Sequence, residues 1–217
     1  YIELPDYMED IKQARKKFPE LTILSGLEVD YLPSLGKNFY EDIYGKYNFD
    51  YLIVGTHVVE PDIPETRIYG LGNVFSPAVS LLYVDAMIRA MESGLFSYVA
   101  HPDLLARVSP YWTPELKAMF TDLINAAKSL RIPLEINAYG LRKEWINTPE
   151  GYRPQYPWRP FWELAGELGA MMVVGSDAHA PGDIWSNSQE AIDYGRECGL
   201  TARNAEIAAN IMKKKNE

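Results

Sequence analysis

The chain carries a single cysteine, Cys198, in 217 residues, so no internal disulfide framework exists and the fold rests on packing. A lone thiol suits a reducing cytoplasm, the expected location. No stretch approaches the roughly 20 uninterrupted apolar residues of a membrane span. A basic excess is also missing. Against 30 Asp and Glu stand 21 Lys and Arg, and the net charge of -9 argues against a surface that neutralises a long nucleic-acid backbone. One phosphate group stays within reach, because it needs only a local pocket of arginines and metal ions. No glycine-rich dinucleotide fingerprint follows an early strand, which sets a dehydrogenase aside. The segment from Tyr1 to Leu21 has neither the basic opening nor the apolar centre of a signal peptide.

What remains is the composition of an ordinary globular protein, 47% hydrophobic and 24% charged, long enough for one substantial core. We read residues 1–217 as a single domain. Short continuous apolar runs mark strands at Thr22 to Val29, Tyr51 to Gly55, Phe96 to Ala100, Pro133 to Ile136 and Ala170 to Gly175. Helical spacing marks Pro77 to Ser93, Pro114 to Leu130, Phe161 to Leu168 and Ser188 to Cys198 between them, with a further helix from Ala202 to Lys215. Thr113-Pro114 is a helix cap followed by a first-turn proline, and Gly94 and Gly199 are helix stops. Near the start, Asp6 and Glu9 have capping-box spacing ahead of Tyr7, Ile11, Ala14 and Phe18. Alternating strands and helices define an α/β protein. Two connections, His57 to Asn73 and Tyr139 to Pro160, are long and rich in proline and glycine. They suit walls or lids of a site, or plain surface excursions.

Histidine is as scarce as basic charge, yet all three residues close an apolar run: His57 in Val54-Gly55-Thr56-His57, His101 in Val99-Ala100-His101-Pro102-Asp103, and His179 in Gly175-Ser176-Asp177-Ala178-His179. Parallel strands converge at their carboxyl ends, and chance would put all three there only about once in a thousand. On extended chain Asp177 and His179 point the same way, a chelating pair, although a helix-capping Asp and a hydrogen-bonded His would read identically. Pro102 biases His101 towards extended backbone, and Asp103 either orients that imidazole or solvates the loop. Glu28, flanked by Leu27 and Val29, needs a cation or a salt bridge if buried. Imidazoles and carboxylates together suit zinc, iron or manganese.

The ordered motifs Leu27-Glu28-Val29-Asp30, Gly55-Thr56-His57, His101-Pro102-Asp103, Glu135-Ile136-Asn137 and Gly175-Ser176-Asp177-Ala178-His179 resemble those of the PHP (polymerase and histidinol phosphatase) family, and its stand-alone histidinol-phosphatase branch most. The resemblance runs from about Leu21 to Gly199. It implies a distorted, TIM-like barrel of seven strand-helix units with two or three divalent ions (Zn, Mn or Fe) at the strand ends. Glu28, His57, His101, Asp177 and His179 would be ligands, with Glu28 bridging, and Asp177 and His179 would also serve catalysis. Arg107 and Arg142 fall where such phosphatases place phosphate-binding arginines; a solvated arginine is the plain alternative. The implied reaction is attack of a metal-bridging hydroxide on a small phosphate ester. A nuclease or phosphodiesterase acting on short nucleotides, and a non-catalytic binding module with a degenerate site, are the alternative readings. One departure stands out: family members open with a His-x-His motif and a further histidine, and neither is present. We therefore expect the first strand-helix units to be absent from this chain.

Overall fold

The computed structural model describes residues 3–59 and 76–215. The chain opens with helix α1 (Leu4–Lys17), followed by β1 (Gly26–Val29), α2 (Gly36–Tyr47), β2 (Tyr51–Val54), α3 (Pro77–Glu92), β3 (Phe96–Val99), α4 (Pro114–Leu130) and β4 (Leu134–Asn137). After β4 come the single turn α5 (Tyr139–Arg142), a hairpin of β5 (Ile146–Thr148) and β6 (Gly151–Arg153), α6 (Arg159–Leu168), β7 (Met172–Gly175), α7 (Ser188–Glu197) and α8 (Asn204–Lys215). All five strands expected from apolar runs form, four of them shorter than their runs and β4 of equal length but shifted by one residue.

These five make one parallel sheet in the order β1-β2-β3-β4-β7, so every crossover steps in the same direction. Right-handed crossovers that always advance one way leave their helices on one face of the sheet, as in a barrel wall rather than a doubly wound sheet. On that face Leu52, Val54, Phe96, Val99, Leu134, Ile136 and Met172 are buried beneath helices that supply Met87, Met91, Phe120, Leu123, Phe161 and Trp162. The other face carries Tyr51, Tyr98 and Val173, which with Ile207, Ala208 and Ile211 of α8 surround a cavity of about 160 Å³. Among the described residues β1 and β7 do not pair, and the sheet is open. The edge of β7 is nonetheless occupied. Arg203 donates its backbone N–H to Met172 O, and the Asn204 side-chain amide both accepts from Val174 N and donates to Val174 O, imitating a neighbouring strand.

Several local expectations change. Asp6 is not the cap of α1: the helix starts two residues earlier behind Glu3, with Pro5 in its first turn. Thr113 does cap α4, accepting from Leu116 N. Helix α2 lies outside the expected elements. Its Phe39, Tyr40, Ile43 and Tyr47 have helical spacing, but Gly36 and Gly45, weak helix formers, dilute the pattern. The Tyr139 to Pro160 connection is built from α5 and the β5–β6 hairpin. Most of the His57 to Asn73 connection lies outside the described residues. No helix among the described residues is long and apolar enough to cross a membrane.

Candidate metal centre

Adjacent parallel strands bring their carboxyl ends together, and three side chains able to ligate a metal meet there. Glu28 in β1 registers beside Ile53 of β2, while His57 and His101 follow β2 and β3 by three and two residues. One ligand atom from each of Glu28, His57 and His101 lies within 4.8 Å of the others. Glu28 Oε1 stands 3.1 Å from His101 Nε2 and 3.8 Å from His57 Nε2. Two ligands held at ordinary zinc distances in a tetrahedral shell are about 3.4 Å apart, so this spacing and donor set fit a divalent ion of the zinc, manganese or iron class. Glu28 is not the buried carboxylate that its apolar neighbours suggest. A third of its side chain is exposed, on the cleft side.

The surrounding groups fix these ligands. Asp30 Oδ1 accepts from the backbone N–H groups of His57 (2.6 Å) and Val58 (3.0 Å) and lies 3.6 Å from His57 Nδ1. His101 is buried and adopts a left-handed backbone (φ 30°), not the extended one that Pro102 favours. Its N–H donates to Glu135 Oε2 at 3.2 Å, and its carbonyl accepts from Leu104 N. Asn137 Nδ2 bridges two carboxylates, 3.1 Å from Glu135 Oε2 and 3.2 Å from Asp177 Oδ2. Burial raises the Glu135 carboxyl to about 7, with His101 pulling the other way and Glu28 adding to the rise. Burial works against a charged His101, yet Glu28 beside it raises the imidazole above its ordinary value. Glu28 is correspondingly lowered: partial desolvation by its neighbours in the cleft raises it, and the two histidines outweigh that.

The cluster forms one side of a cleft of about 390 Å³ that also exposes Asp30, Tyr139, Lys143, Tyr156, Asp177 and His179. Asp177 and His179 thus reach the same cleft, but not by the expected route. Asp177 has a left-handed backbone (φ 46°), and His179 Nδ1 turns back to within 2.9 Å of Asp177 O. The His179 ring stacks on Tyr139 with centroids 4.5 Å apart, and neither residue joins the tight Glu28–His57–His101 group. Asp103 does neither of the jobs considered for it. It is buried and accepts from Trp158 N (2.6 Å) and Trp162 Nε1 (3.0 Å), joining the end of β3 to α6.

The two arginines lie off the cleft wall. Arg142 donates to three carbonyls, Ser176 (2.7 Å), Ser186 (3.0 Å) and Asp177 (3.2 Å), so it braces the loop after β7. Arg107 Nε donates to Gln155 Oε1 at 2.7 Å. Lys143 and the tyrosines Tyr139 and Tyr156 were not singled out from sequence. Their one signal was position, in a long connection after a strand.

A parallel strand-helix wall with a candidate metal-binding group at its carboxyl ends is an α/β architecture, and solved structures share its fold. The chain superposes on histidinol phosphate phosphatase from Lactococcus lactis, solved with zinc, L-histidinol and phosphate, with a TM-score of 0.66 over 92% of this chain and 74% of that one, at 20% identity. A chain in an archaeal ribonuclease P structure with mature tRNA gives a TM-score of 0.56 at 14% identity, covering 97% of this chain and 76% of that one. By sequence, a protein named Probable histidinol-phosphatase from Deinococcus radiodurans is 27% identical over 91% of this chain and 73% of its own length. Another so named, from Schizosaccharomyces pombe, is 24% identical over 91% and 67%, and a Probable phosphatase from Shewanella amazonensis is 28% identical over 81% and 60%. No protein-family model matches the chain. These likenesses support the histidinol-phosphatase-like family that the ordered motifs resemble.

Proposed function

We propose that the protein is a metal-dependent phosphoesterase, a phosphomonoesterase of the histidinol-phosphatase type, acting on a small phosphorylated molecule. The observation that carries this reading is the convergence of Glu28, His57 and His101 at the ends of three adjacent strands. The relatives named for phosphatase activity point the same way. Glu28, His57 and His101 would hold one divalent ion, and Asp177 and His179 would contribute to a second or third from the β7 side of the cleft. When bound, such ions would activate a water as nucleophile and supply Lewis-acid stabilisation of the phosphoryl oxygens.

The chain's own residues set the stage for that chemistry. Asp30 and Asn137 hold His57 and Asp177 in place by the hydrogen bonds given above. His179, with Nδ1 held against Asp177 O, would turn the lone pair of Nε2 to an ion. Tyr139 and Tyr156 wall the cleft with aromatic surface suited to the organic part of an ester.

The test is hydrolysis by the purified, metal-loaded chain. Histidinol phosphate is expected to be cleaved faster than a dinucleotide diester, activity should vanish on exhaustive chelation, and Mn, Fe or Zn should restore it. Turnover that survives chelation rules the mechanism out. Preference for the diester would favour a nuclease instead.

A further inference from the structure

His179 is the most exposed of the five residues expected to ligate metal, with 61% of its side chain open to solvent. An exposed imidazole samples several rotamers, and fixing it when an ion binds costs affinity. Two residues restrain this ring. Its Nδ1 lies 2.9 Å from Asp177 O, and its face stacks on Tyr139 with centroids 4.5 Å apart and planes 25° from parallel. We propose that Tyr139 is a positioning residue, whose ring is the platform that fixes the imidazole plane of His179 for a metal ion on the β7 side of the cleft. This assignment rests on the phosphoesterase reading and deepens it by adding a residue that acts through a ligand.

The two restraints are complementary. A hydrogen bond at Nδ1 fixes one atom of the ring and leaves its tilt free, whereas a face-to-face contact removes the tilt. An Nδ1–H held by a backbone carbonyl is also how a metal-binding histidine presents Nε2. Tyr139 can act as a platform because it is itself anchored to the sheet. It opens α5 just beyond β4, and its backbone N–H donates to Asn137 Oδ1 at 3.0 Å. A backbone N–H can only donate, so it orients the Asn137 amide with Nδ2 towards the Asp177 carboxylate, 3.2 Å away. One side chain at the end of β4 thereby sets both β7-side residues, Asp177 directly and His179 through Tyr139. The Lys143 ammonium, 4.5 Å from the ring centroid, and the Arg142 guanidinium, 5.1 Å from it, pack over Tyr139 and steady it further. The face that meets His179 is closed to substrate, which separates this role from that of a wall for the organic part of an ester.

The experiment compares wild type, Tyr139→Leu and Tyr139→Phe, with a melting temperature for each. In chelator-treated protein the ring protons of His179, assigned by their loss in His179→Gln among only three histidines, should be moved upfield by the Tyr139 ring current. That shift should persist in Tyr139→Phe and collapse in Tyr139→Leu. In calorimetric zinc titrations, the binding step that His179→Gln abolishes should weaken about three- to tenfold in Tyr139→Leu and stay within about twofold in Tyr139→Phe. For p-nitrophenyl phosphate, the leucine variant should lower kcat more than it raises KM. An unshifted His179 in wild type overturns the assignment, and so does wild-type zinc binding that His179→Gln leaves intact. Equal zinc affinity in wild type and Tyr139→Leu, equal loss in both variants, or a rise in KM alone overturns it as well. Should the ring-current shift and the zinc step depend on Tyr139 while no phosphate ester is hydrolysed, the phosphoesterase reading fails and the platform stands.

Discussion

Two glycines decide how near the carboxylates come to the histidines. A Cβ on Gly55 would collide with the Glu28 carboxylate and lie 2.9 Å from His57 Cε1, and one on Gly175 would collide with the Glu135 carboxylate. In each case the obstructing atoms are the ends of side chains, so a methyl group displaces carboxylates rather than strands. Gly55→Ala should therefore lower zinc affinity on the order of tenfold to a hundredfold, like the loss of a group that orients a ligand. The melting temperature should move by only a few degrees. Competition against a chromophoric chelator measures this, and unchanged affinity would show that Glu28 is not a ligand. The convergence of Glu28, His57 and His101 was legible in the sequence, because a histidine closing an apolar run declares its place on a parallel sheet. Their conformations were not. His101 and Asp177 have left-handed backbones, and their partners come from another strand: the His101 N–H donates to Glu135, and Asn137 donates to the Asp177 carboxylate.

Between elements, Asp103 acts as a buried staple from the end of β3 to the start of α6. Burial raises its carboxyl to about 6, against the lowering pull of the Trp158 and Trp162 donors. The native protein thus keeps a proton there that the unfolded chain releases near pH 4. The resulting penalty is absent at low pH, grows as pH rises through the window between about 4 and 6, and is complete above it. Asp103→Asn keeps an acceptor for both N–H donors and removes the charge. Relative to wild type it should gain on the order of 2 kcal/mol between pH 4 and pH 7, read by urea unfolding in the presence of a chelator. A pH-independent difference would mean that Asp103 is ionised throughout. Sequence alone placed Asp103 beside His101 and suggested a link between them. The tertiary contact with α6, 55 residues away, reassigns it. Helix α2 was hidden for a related reason: tertiary packing of Tyr40, which bonds Asp30 O and Leu32 N, outweighs weak local propensity.

At the scale of the molecule, five parallel strands in sequence order give a wall with its crossover helices on one face and the Glu28, His57 and His101 group at the carboxyl ends. That order, more than any single motif, gathers residues as distant as Glu28 and His101. Strand positions and α/β class were readable because a wall strand beneath helices is apolar along its length. The cleft's second side was not, since Tyr139, Lys143 and Tyr156 sit in a connection whose turns follow no apolar period. The net charge of -9 is compatible with this site, because a cleft rich in carboxylates binds phosphate only after cations have entered it. Metal binding is accordingly the foundation of the functional account. The most direct test is zinc stoichiometry and affinity at pH 7.5 for the wild type and for Glu28→Gln, His57→Gln and His101→Gln, each checked for native circular dichroism. The account predicts at least one tightly held zinc per wild-type chain and its loss in each variant. A wild type that retains less than one ion, or variants that bind as tightly as wild type, would contradict it.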